Sequence, residues 1–374
     1  MFFSDYIDLY QNYIYNNHER CSIQKDDTMS NMREVAKLAG VSVSTVSAVI
    51  NDNKNVSGEL RRKIEAAIVQ TGYRKPSVEE DDIGRTIAVI LPGICSSFFS
   101  PLLNGICDIA NEHNMSVMLL DSKRSIKAEA KLIQTCVRRG IRNIILDSVC
   151  DIPHEEEYFA DIRENLIRRR GMRVAVVARK LADEAFFSIY VDNYNAAYEA
   201  TSHLLDCGCR KLVHITGADE FPHTRIRENA FRAVLQERGI PFDEKLLLEG
   251  DFTPLSGFAA MRTLLDNGIA VDGVFASNDQ MAIGAMKALI AGGRKIPGDC
   301  AVVGFDNLAM SSLVTPGLTT VHFPIYQLGY QAAYLLKERL NGKKPQPWVK
   351  LECRLVVRGS TRQGKTDDWD LPGW

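Results

Sequence analysis

The chain has 374 residues, of which 45% are hydrophobic and 25% are charged, and its formal net charge is −2. This length favours two or three domains, and the composition is that of a globular protein rather than a disordered or fibrous one. The nearly neutral charge gives no whole-chain indication of nucleic-acid binding. No apolar run reaches the ~18 residues that a membrane-spanning helix requires, so we expect no membrane association.

Residues 1–28 are rich in aromatic and acidic side chains, and they lack the basic start and long apolar segment of a secretory signal. We interpret them as a disordered extension and assign them no function. Nine cysteines, scattered through apolar segments, indicate reduced thiols and a cytoplasmic location. The closest pair, Cys207 and Cys209, has no further ligands at zinc spacing, so we expect neither a metal nor a cofactor.

Residues 33–51 predict two short helices joined by a tight turn. An apolar side on the first helix is expected from Val35, Leu38 and Ala39. Gly40 can adopt the positive φ that ends a helix, and Val41 can fill the corner. Ser42 can then cap the second helix by accepting a hydrogen bond from a free N–H group.

The second helix has an unusual outward face. One side is apolar, with Val46, Val49 and Ile50, whereas the other is small and uncharged, with Ser44, Ser47, Ala48 and Asn51. Small hydroxyl side chains suit a helix that lies close against DNA. Residues 29–75 also carry eight Lys or Arg residues against four acids, and such a basic block favours phosphate contact. A helical hairpin packed inside a larger fold is the alternative at this point.

A third helix and a linker are predicted next. Ser57 can cap this helix, Gly72 can end it, and its buried stripe is expected to be Leu60, Ile64, Ala67 and Ile68. Residues 74–85 are polar, charged and bounded by Pro and Gly, which is typical of a linker.

From Thr86 onwards, short β-branched runs alternate with amphipathic helical stretches. The predicted strands are 87–91, 117–120, 144–146, 174–177, 189–191, 212–215, 274–276 and 302–305. The predicted helices include 101–113, 194–205, 227–238, 257–266 and 280–291. This alternation predicts an α/β fold with parallel sheets covered on both faces, and its length predicts two lobes.

Polar pairs follow three of these predicted strands, namely Asp192-Asn193, Asn278-Asp279 and Asp306-Asn307. Ligands bind beyond the carboxyl ends of strands in such folds. Each pair could also simply cap the helix that follows it. The three pairs together favour a ligand cleft.

Several motifs now identify a resemblance. They are VAKLAGVS at 35–42, TVS at 45–47, GY at 72–73, SNDQMAIG at 277–284, VVGFDN at 302–307, LTTV at 318–321 and VRGST at 357–361. In these motifs the chain resembles the lactose-repressor/galactose-repressor (LacI/GalR) family of bacterial transcription regulators. The resemblance covers roughly residues 32–362.

The resemblance implies a domain organisation and a function. It implies a helix-turn-helix domain at 29–75, a short acidic hinge at 76–85, a two-lobed core like periplasmic binding proteins at 86–360, and a tail at 361–374. It also implies a homodimer that represses transcription from a near-palindromic double-stranded DNA operator. Ser42, Thr45 and Ser47 would contact phosphates. The base-reading positions would be Val43, Ser44 and Ala48, and Asn51 would lie beside them on the DNA-contact face. Ala48 can offer only a methyl group to thymine.

The resemblance also implies an effector cleft between the lobes. Its ligand-binding residues would be Phe98, Phe99, Arg179, Arg227, Phe252, Asn278, Asp306 and Phe323. Arg227 would hold paired ligand oxygens, Phe252 would stack on a ring, and Asn278 and Asp306 would bind hydroxyls or ring nitrogens. A sugar or sugar derivative fits this set best, while a purine or a phosphosugar stays open.

The hinge departs from the family pattern, because it is shorter and carries four acids at 79–82 with Ile83 as the remaining apolar wedge. We therefore expect weak hinge insertion into DNA. Two other functions compete with a regulator. A transport-type sugar-binding protein that has lost DNA binding shares the core, and an enzyme with a fused DNA-binding domain is disfavoured because no nucleophile elbow, phosphate loop or clustered histidines are present.

Overall fold

The computed structural model describes residues 32–50, 56–71, 73, 83–219 and 221–361. They fall into two compact units, one that ends at Asp82 and one that begins at Ile83. The described part of the first unit contains α1 (Met32–Ala39), α2 (Val43–Ile50) and α3 (Gly58–Thr71). One fully buried side chain from each helix, namely Val35, Val46 and Ile64, forms the centre of its core.

The predicted turn between α1 and α2 is confirmed. Gly40 has a φ of +68°, and the N–H of Val41 donates to the carbonyl of Ala36 at 3.0 Å. Ser42 Oγ accepts from the N–H of Thr45 at 3.2 Å, and it therefore caps α2. Ser57 Oγ likewise accepts from Leu60 at 3.4 Å at the start of α3.

The prediction for Leu38 was wrong, because its side chain is 48% exposed and Ala36 is buried instead. With 3.6 residues per turn, Ala36 lies on the same side of the helix as Val35 and Ala39. Leu38 lies about a quarter turn beyond that side, outside the contact with α2 and α3. Asn51 and Gly72, for which we also made predictions, lie outside the described residues.

The second unit follows the predicted alternation. Its first part forms β1 (Thr86–Leu91), α4 (Phe99–Glu112), β2 (Ser116–Asp121), α5 (Ile126–Arg138), β3 (Asn143–Leu146), α6 (Glu155–Ile162), β4 (Arg173–Val177) and β5 (Phe187–Val191). Its middle part forms α7 (Asn193–Asp206), β6 (Leu212–Ile215), α8 (Pro222–Glu237), β7 (Leu247–Leu248), α9 (Pro254–Asp266), β8 (Gly273–Ala276), α10 (Asp279–Ala291), β9 (Ala301–Asp306), α11 (Ala309–Leu313) and β10 (Thr319–His322). The last elements are α12 (Ile325–Leu340), β11 (Trp348–Leu351) and β12 (Arg354–Val356).

These strands form two sheets, one in each lobe. The first sheet has the order β11-β5-β4-β3-β1-β2, and the second has the order β12-β10-β9-β8-β6-β7. Neighbours are parallel except β10 and β12, which are antiparallel. The predicted parallel α/β architecture is therefore confirmed, and all eight predicted strands are present. The chain passes between the lobes after β5, after β10 and after β11.

Buried strands and small residues hold the first lobe together. All six residues of β1 are buried, as expected for a strand covered on both faces. The helix α12 returns to pack against α4 in the first lobe at very close range. A Cβ atom on Gly329 would lie 2.0 Å from the carbonyl oxygen of Leu102, and one on Gly105 would lie 2.2 Å from that of Tyr326. These two glycines therefore allow the backbones of the two helices to touch.

Candidate DNA-contact face and effector cleft

The outward face of α2 is small and uncharged, as predicted. Val43 is 41% exposed and Ser44 is exposed, while Ser47 and Ala48 are partly exposed. Ser42 Oγ lies 2.7 Å from both Ser44 Oγ and Thr45 Oγ1, so the three hydroxyl groups form one cluster at the start of the helix. A hydroxyl cluster at a helix N-terminus suits a phosphate oxygen.

The effector cleft forms where the carboxyl ends of the strands of both lobes meet. Seven of the eight predicted ligand residues line one cavity there, which we call the inner compartment: Phe98, Phe99, Arg227, Phe252, Asn278, Asp306 and Phe323. Asp147, Ala178 and Asn193 also line it, and each follows a strand of the first lobe. This is the position at which α/β folds bind ligands.

Arg227 is a buried and fully oriented cation on α8. Its Nε and Nη2 donate to Asn193 Oδ1 at 3.1 and 2.9 Å, and its Nη1 donates to the carbonyl of Ser277. The guanidinium carbon lies 3.6 Å from the centre of the Phe305 ring. Burial lowers the pKa of Arg227 to about 10, and the group still carries its charge at neutral pH. Its planar fork is therefore fixed before any ligand arrives.

Asp306 ends β9 with a φ of +108°, and it is only 5% exposed. Burial raises its pKa well above the ordinary value, the nearby Arg227 opposes that rise, and Asp279 adds to it. Among the described residues, no hydrogen bond to its carboxyl group is formed. Such a buried polar group is costly unless a ligand or water satisfies it.

Asn278 lines the inner compartment, but both ends of its amide are used within the second lobe. Its Oδ1 accepts from the N–H of Met281 at 2.8 Å and caps α10, while its Nδ2 donates to the carbonyl of Phe252 at 3.0 Å. The capping interpretation therefore applies to Asn278, and also to Asp192, which accepts from Asn195 at 3.0 Å at the start of α7. Asn278 positions Phe252 rather than leaving its amide free.

Aromatic rings from both lobes surround the polar groups. Phe98 makes edge contacts with Phe99 and Phe323 at centroid distances of 5.2 and 5.6 Å. Phe252 has a φ of +67° and lies 5.5 Å from the ring of Phe221. Backbone in this region is uncommon for side chains other than glycine and tends to occur at functional sites.

Arg179 is the one predicted ligand residue that does not line the inner compartment. Its Nη1 donates to Glu155 Oε2 at 2.7 Å, and its Nη2 donates to the carbonyls of Ser148 and Cys150. It lines a second cavity, which we call the outer compartment. Local acceptors in the first lobe turn the guanidinium away from the inner compartment, so a ligand contact from Arg179 stays a prediction for the outer compartment alone.

Sequence reasoning missed several lining residues. Arg124 follows β2 and donates from Nη2 to the carbonyl of Asp251 at 2.8 Å, which joins the two lobes across the cleft. Asp147 follows β3. Burial raises its pKa to about 7, although the nearby charge of Arg179 partly opposes that rise. His223 lies at the start of α8, and burial lowers its pKa well below the ordinary value. The available signal was position: Asp147 directly follows β3, and Arg124 lies in the loop that follows β2.

Two classes of site are not found in the described part of the chain. It holds no group of three or more His, Cys, Asp or Glu side chains arranged for a metal ion. No helix in that part combines the length and apolar character that crossing a membrane requires.

Comparisons with known proteins match both the amino-terminal helical unit and the two-lobed unit. Residues 31–76 match the family described as bacterial regulatory proteins, lacI family, and residues 201–361 match a periplasmic binding protein-like domain. The HTH-type transcriptional repressor CytR of Escherichia coli (strain K12) is 31% identical over 344 residues, which are 91% of this chain and 98% of that repressor. The ribose operon repressor of Halalkalibacterium halodurans is 31% identical over 346 residues, covering 91% and 99% of the two chains.

A solved structure extends this likeness to the fold. The transcriptional regulator CelR in complex with cellobiose is 29% identical, with a TM-score of 0.65, and the match covers 88% of this chain and 99% of that one. These relatives are transcription regulators and not enzymes.

Proposed function

The chain belongs to the LacI family of bacterial regulatory proteins, and on that premise we propose that it is a repressor whose operator affinity responds to a small polar effector. We assign DNA contact to the outward face of α2 and effector binding to the inner compartment. The protein acts in the cytoplasm as a homodimer, and the two helix-turn-helix units of the dimer bind the two halves of a near-palindromic operator.

The observation that carries the proposal is the pair of Arg227 and Asp306 in the inner compartment. Arg227 is held by Asn193 and Ser277 with its charge intact, and Asp306 offers a buried carboxyl group without a protein donor among the described residues. A ligand hydroxyl can donate to Asp306 while a neighbouring ligand oxygen accepts from Arg227. Adjacent hydroxyl and ring oxygens of this kind are the chemistry of a sugar.

The effector is therefore a sugar or a sugar derivative. The names of two relatives support this class, since one is a ribose operon repressor and another was solved with cellobiose. The aromatic side chains Phe98, Phe252 and Phe323 supply faces for the apolar sides of a sugar ring.

The proposed mechanism links the cleft to DNA through the three passages between the lobes. Effector contacts Arg227 and Asp306 from the second lobe and Asp147 and Phe98 from the first, and thereby favours one relative position of the lobes. In the dimer this position sets the spacing of the DNA-binding units. Coupling between two such sites is typically about 1–3 kcal/mol, or roughly 5- to 150-fold in affinity.

The test uses the full chain and DNA selected by that chain from a random-sequence library. A thermal-shift screen of sugars, sugar phosphates, nucleosides and nucleobases identifies the effector, and calorimetry measures its affinity. We expect Arg227→Ala and Asp306→Ala to weaken effector binding by about 100-fold, because each leaves a buried ligand group without its partner. Arg225→Ala is the matched control, since Arg225 lies on the same helix but is half exposed.

Two results would contradict the proposal. Equal stabilisation of the Arg227 and Asp306 variants and the parent by the effector would show that the ligand binds elsewhere. Effector binding without selection of any DNA sequence would instead favour a transport-type sugar-binding protein that has lost its operator.

A further inference from the structure

The inner and outer compartments are neighbouring cavities of unequal size. The inner compartment has a volume of about 100 Å³, and the outer compartment has a volume of about 530 Å³. Five residues line both compartments and therefore lie at the boundary between them: Asp147, Ala178, Asn193, Phe221 and His223. A ligand in the inner compartment can extend into the outer one past these residues.

The inner compartment alone is too small for most effectors. A cavity of roughly 150 Å³ holds a single benzene ring, and ligand sites usually enclose about 300–1,000 Å³. The inner compartment at about 100 Å³ lies below this range, whereas the outer compartment at about 530 Å³ lies within it. A ligand held by Arg227 and Asp306 therefore gains most of its further room in the outer compartment.

The outer compartment is polar and electrically balanced. Arg179 pairs with Glu155 at 2.7 Å, and Lys350 pairs with Asp192 at 3.1 Å. A wall with both donors and acceptors, and without a large excess of either charge, suits a neutral unit with several hydroxyl or amide groups. To gain a cation, an anionic group would have to break one of these pairs or draw the Lys180 ammonium group away from the aromatic rings it lies over.

Aromatic side chains complete the outer wall. Tyr190, Tyr194 and Phe221 line it, and the ammonium group of Lys180 lies 5.5 Å from the centre of the Tyr190 ring. Flat aromatic faces beside polar groups are typical of sites for a second ring, whether a sugar or a heterocycle.

We propose that the effector consists of two linked neutral rings, with a hydroxylated ring in the inner compartment and a second polar ring in the outer compartment. The proposal rests on the function proposed above and specifies its ligand class. A disaccharide or glycoside and a nucleoside share this chemistry. Arg179 then contributes to the second ring's surroundings rather than to the first ring's.

Calorimetry with the full chain tests the proposal, using monosaccharides, disaccharides, nucleosides and sugar phosphates as probes. We expect a two-ring ligand to bind at least about tenfold more tightly than the single ring it contains, because the second ring adds contacts in the outer compartment. Disaccharides and nucleosides as separate arms identify which second ring is preferred. Equal affinity for the single ring, or preference for a sugar phosphate, would overturn the proposal.

A variant that fills the outer compartment provides the second readout. Ile226 lines only the outer compartment, so Ile226→Trp should weaken binding of the two-ring ligand by about tenfold and leave the single ring within about twofold. Ile226→Leu, which conserves volume, is the control. If Ile226→Trp weakens binding of both ligands, the added bulk has disturbed the inner compartment as well. Tyr194→Ala is then the deciding variant, because it removes a half-exposed residue of the outer wall without adding bulk. Equal weakening of both ligands by Tyr194→Ala would overturn the proposal.

The two proposals fail in distinguishable ways. Tight binding of a monosaccharide that is insensitive to Ile226→Trp would contradict the two-ring effector but not the proposed repressor function. Binding of no sugar or nucleoside by a folded chain removes the sugar effector itself, and the two-ring effector with it.

Discussion

At the scale of single residues, the inner compartment brings together ionisable groups from both lobes. Asp147 comes from the first lobe, whereas Asp306 and His223 come from the second. Burial raises the pKa of both carboxyl groups and lowers that of the imidazole, so each group is driven towards its neutral form. Burial also lowers the pKa of Arg227, opposed by the nearby Asp306, but only to about 10, so Arg227 is the one of these groups that stays charged at neutral pH. The compartment therefore suits a neutral ligand.

The pKa of Asp147 gives a pH prediction. Its pKa is about 7 in the folded chain, against 3.8 as its ordinary value, so between these values the folded state binds more protons than the unfolded state. Stability then falls as pH rises from about 4 to 7. Because asparagine does not titrate, the melting temperature of the parent should fall relative to that of Asp147→Asn over this range.

The matched control for this measurement is Asp266→Asn, an exposed carboxylate on α9. Because this carboxylate is exposed, its replacement removes a charge without removing a buried carboxyl group. A constant melting-temperature difference between the parent and Asp147→Asn from about pH 4 to pH 7 would contradict the burial of Asp147.

At the scale of elements, close packing of α4 and α12 holds the first lobe together. Gly105 and Gly329 lie where a Cβ atom would overlap the backbone of the other helix. Gly329→Ala should therefore destabilise the chain by about 1–3 kcal/mol, although alanine is the better helix former. Gly84→Ala is the control, because no atom lies within 4 Å of its Cβ position. Denaturant unfolding measures both, and an unchanged midpoint for Gly329→Ala would contradict the close contact.

The acidic hinge gives a second prediction at this scale. Glu79, Glu80, Asp81 and Asp82 lie outside the described residues, but their four charges are expected to repel DNA phosphates. Replacing them with Gln and Asn should tighten DNA binding at low salt, with a smaller effect at high salt. An unchanged affinity in a gel-shift titration would show that the hinge stays away from DNA.

The sequence was sufficient to predict most elements, but not all. Buried strands such as β1 and β9 are continuous apolar runs, and their burial on both faces produces that pattern. The strands β7, β10, β11 and β12 were not predicted, because they are short, lie at or near sheet edges, or contain polar residues such as Thr319 and Thr320. Their pairing depends on distant parts of the chain, which periodicity does not report.

The candidate site shows the same limit. Strand ends located Asp306 and Asn193 correctly, since that rule follows from topology alone. The direction of Arg179 could not be predicted, because it depends on Glu155 and on carbonyls that are about 30 residues away. The interlobe contact from Arg124 to Asp251 joins residues 127 positions apart, and it appears only once both lobes are folded.

At the scale of the whole molecule, one chain carries both a candidate DNA-contact face and an effector cleft. A ligand-responsive regulator needs a DNA-binding unit, an effector site and a connection between them. This chain supplies a separate helical unit, a cleft between two lobes, and three passages of the chain between those lobes. Because coupling between binding sites is reciprocal, DNA and effector must change each other's affinity by the same factor. This reciprocity separates a regulator from a protein that merely binds both.

The most direct test is operator affinity of the full chain, measured by fluorescence anisotropy with and without saturating effector. We predict that the effector changes operator affinity by roughly 5- to 150-fold, and that operator changes effector affinity by the same factor. Arg227→Ala should bind the operator as the parent does but lose the response. An operator affinity that is the same with and without bound effector would contradict the account.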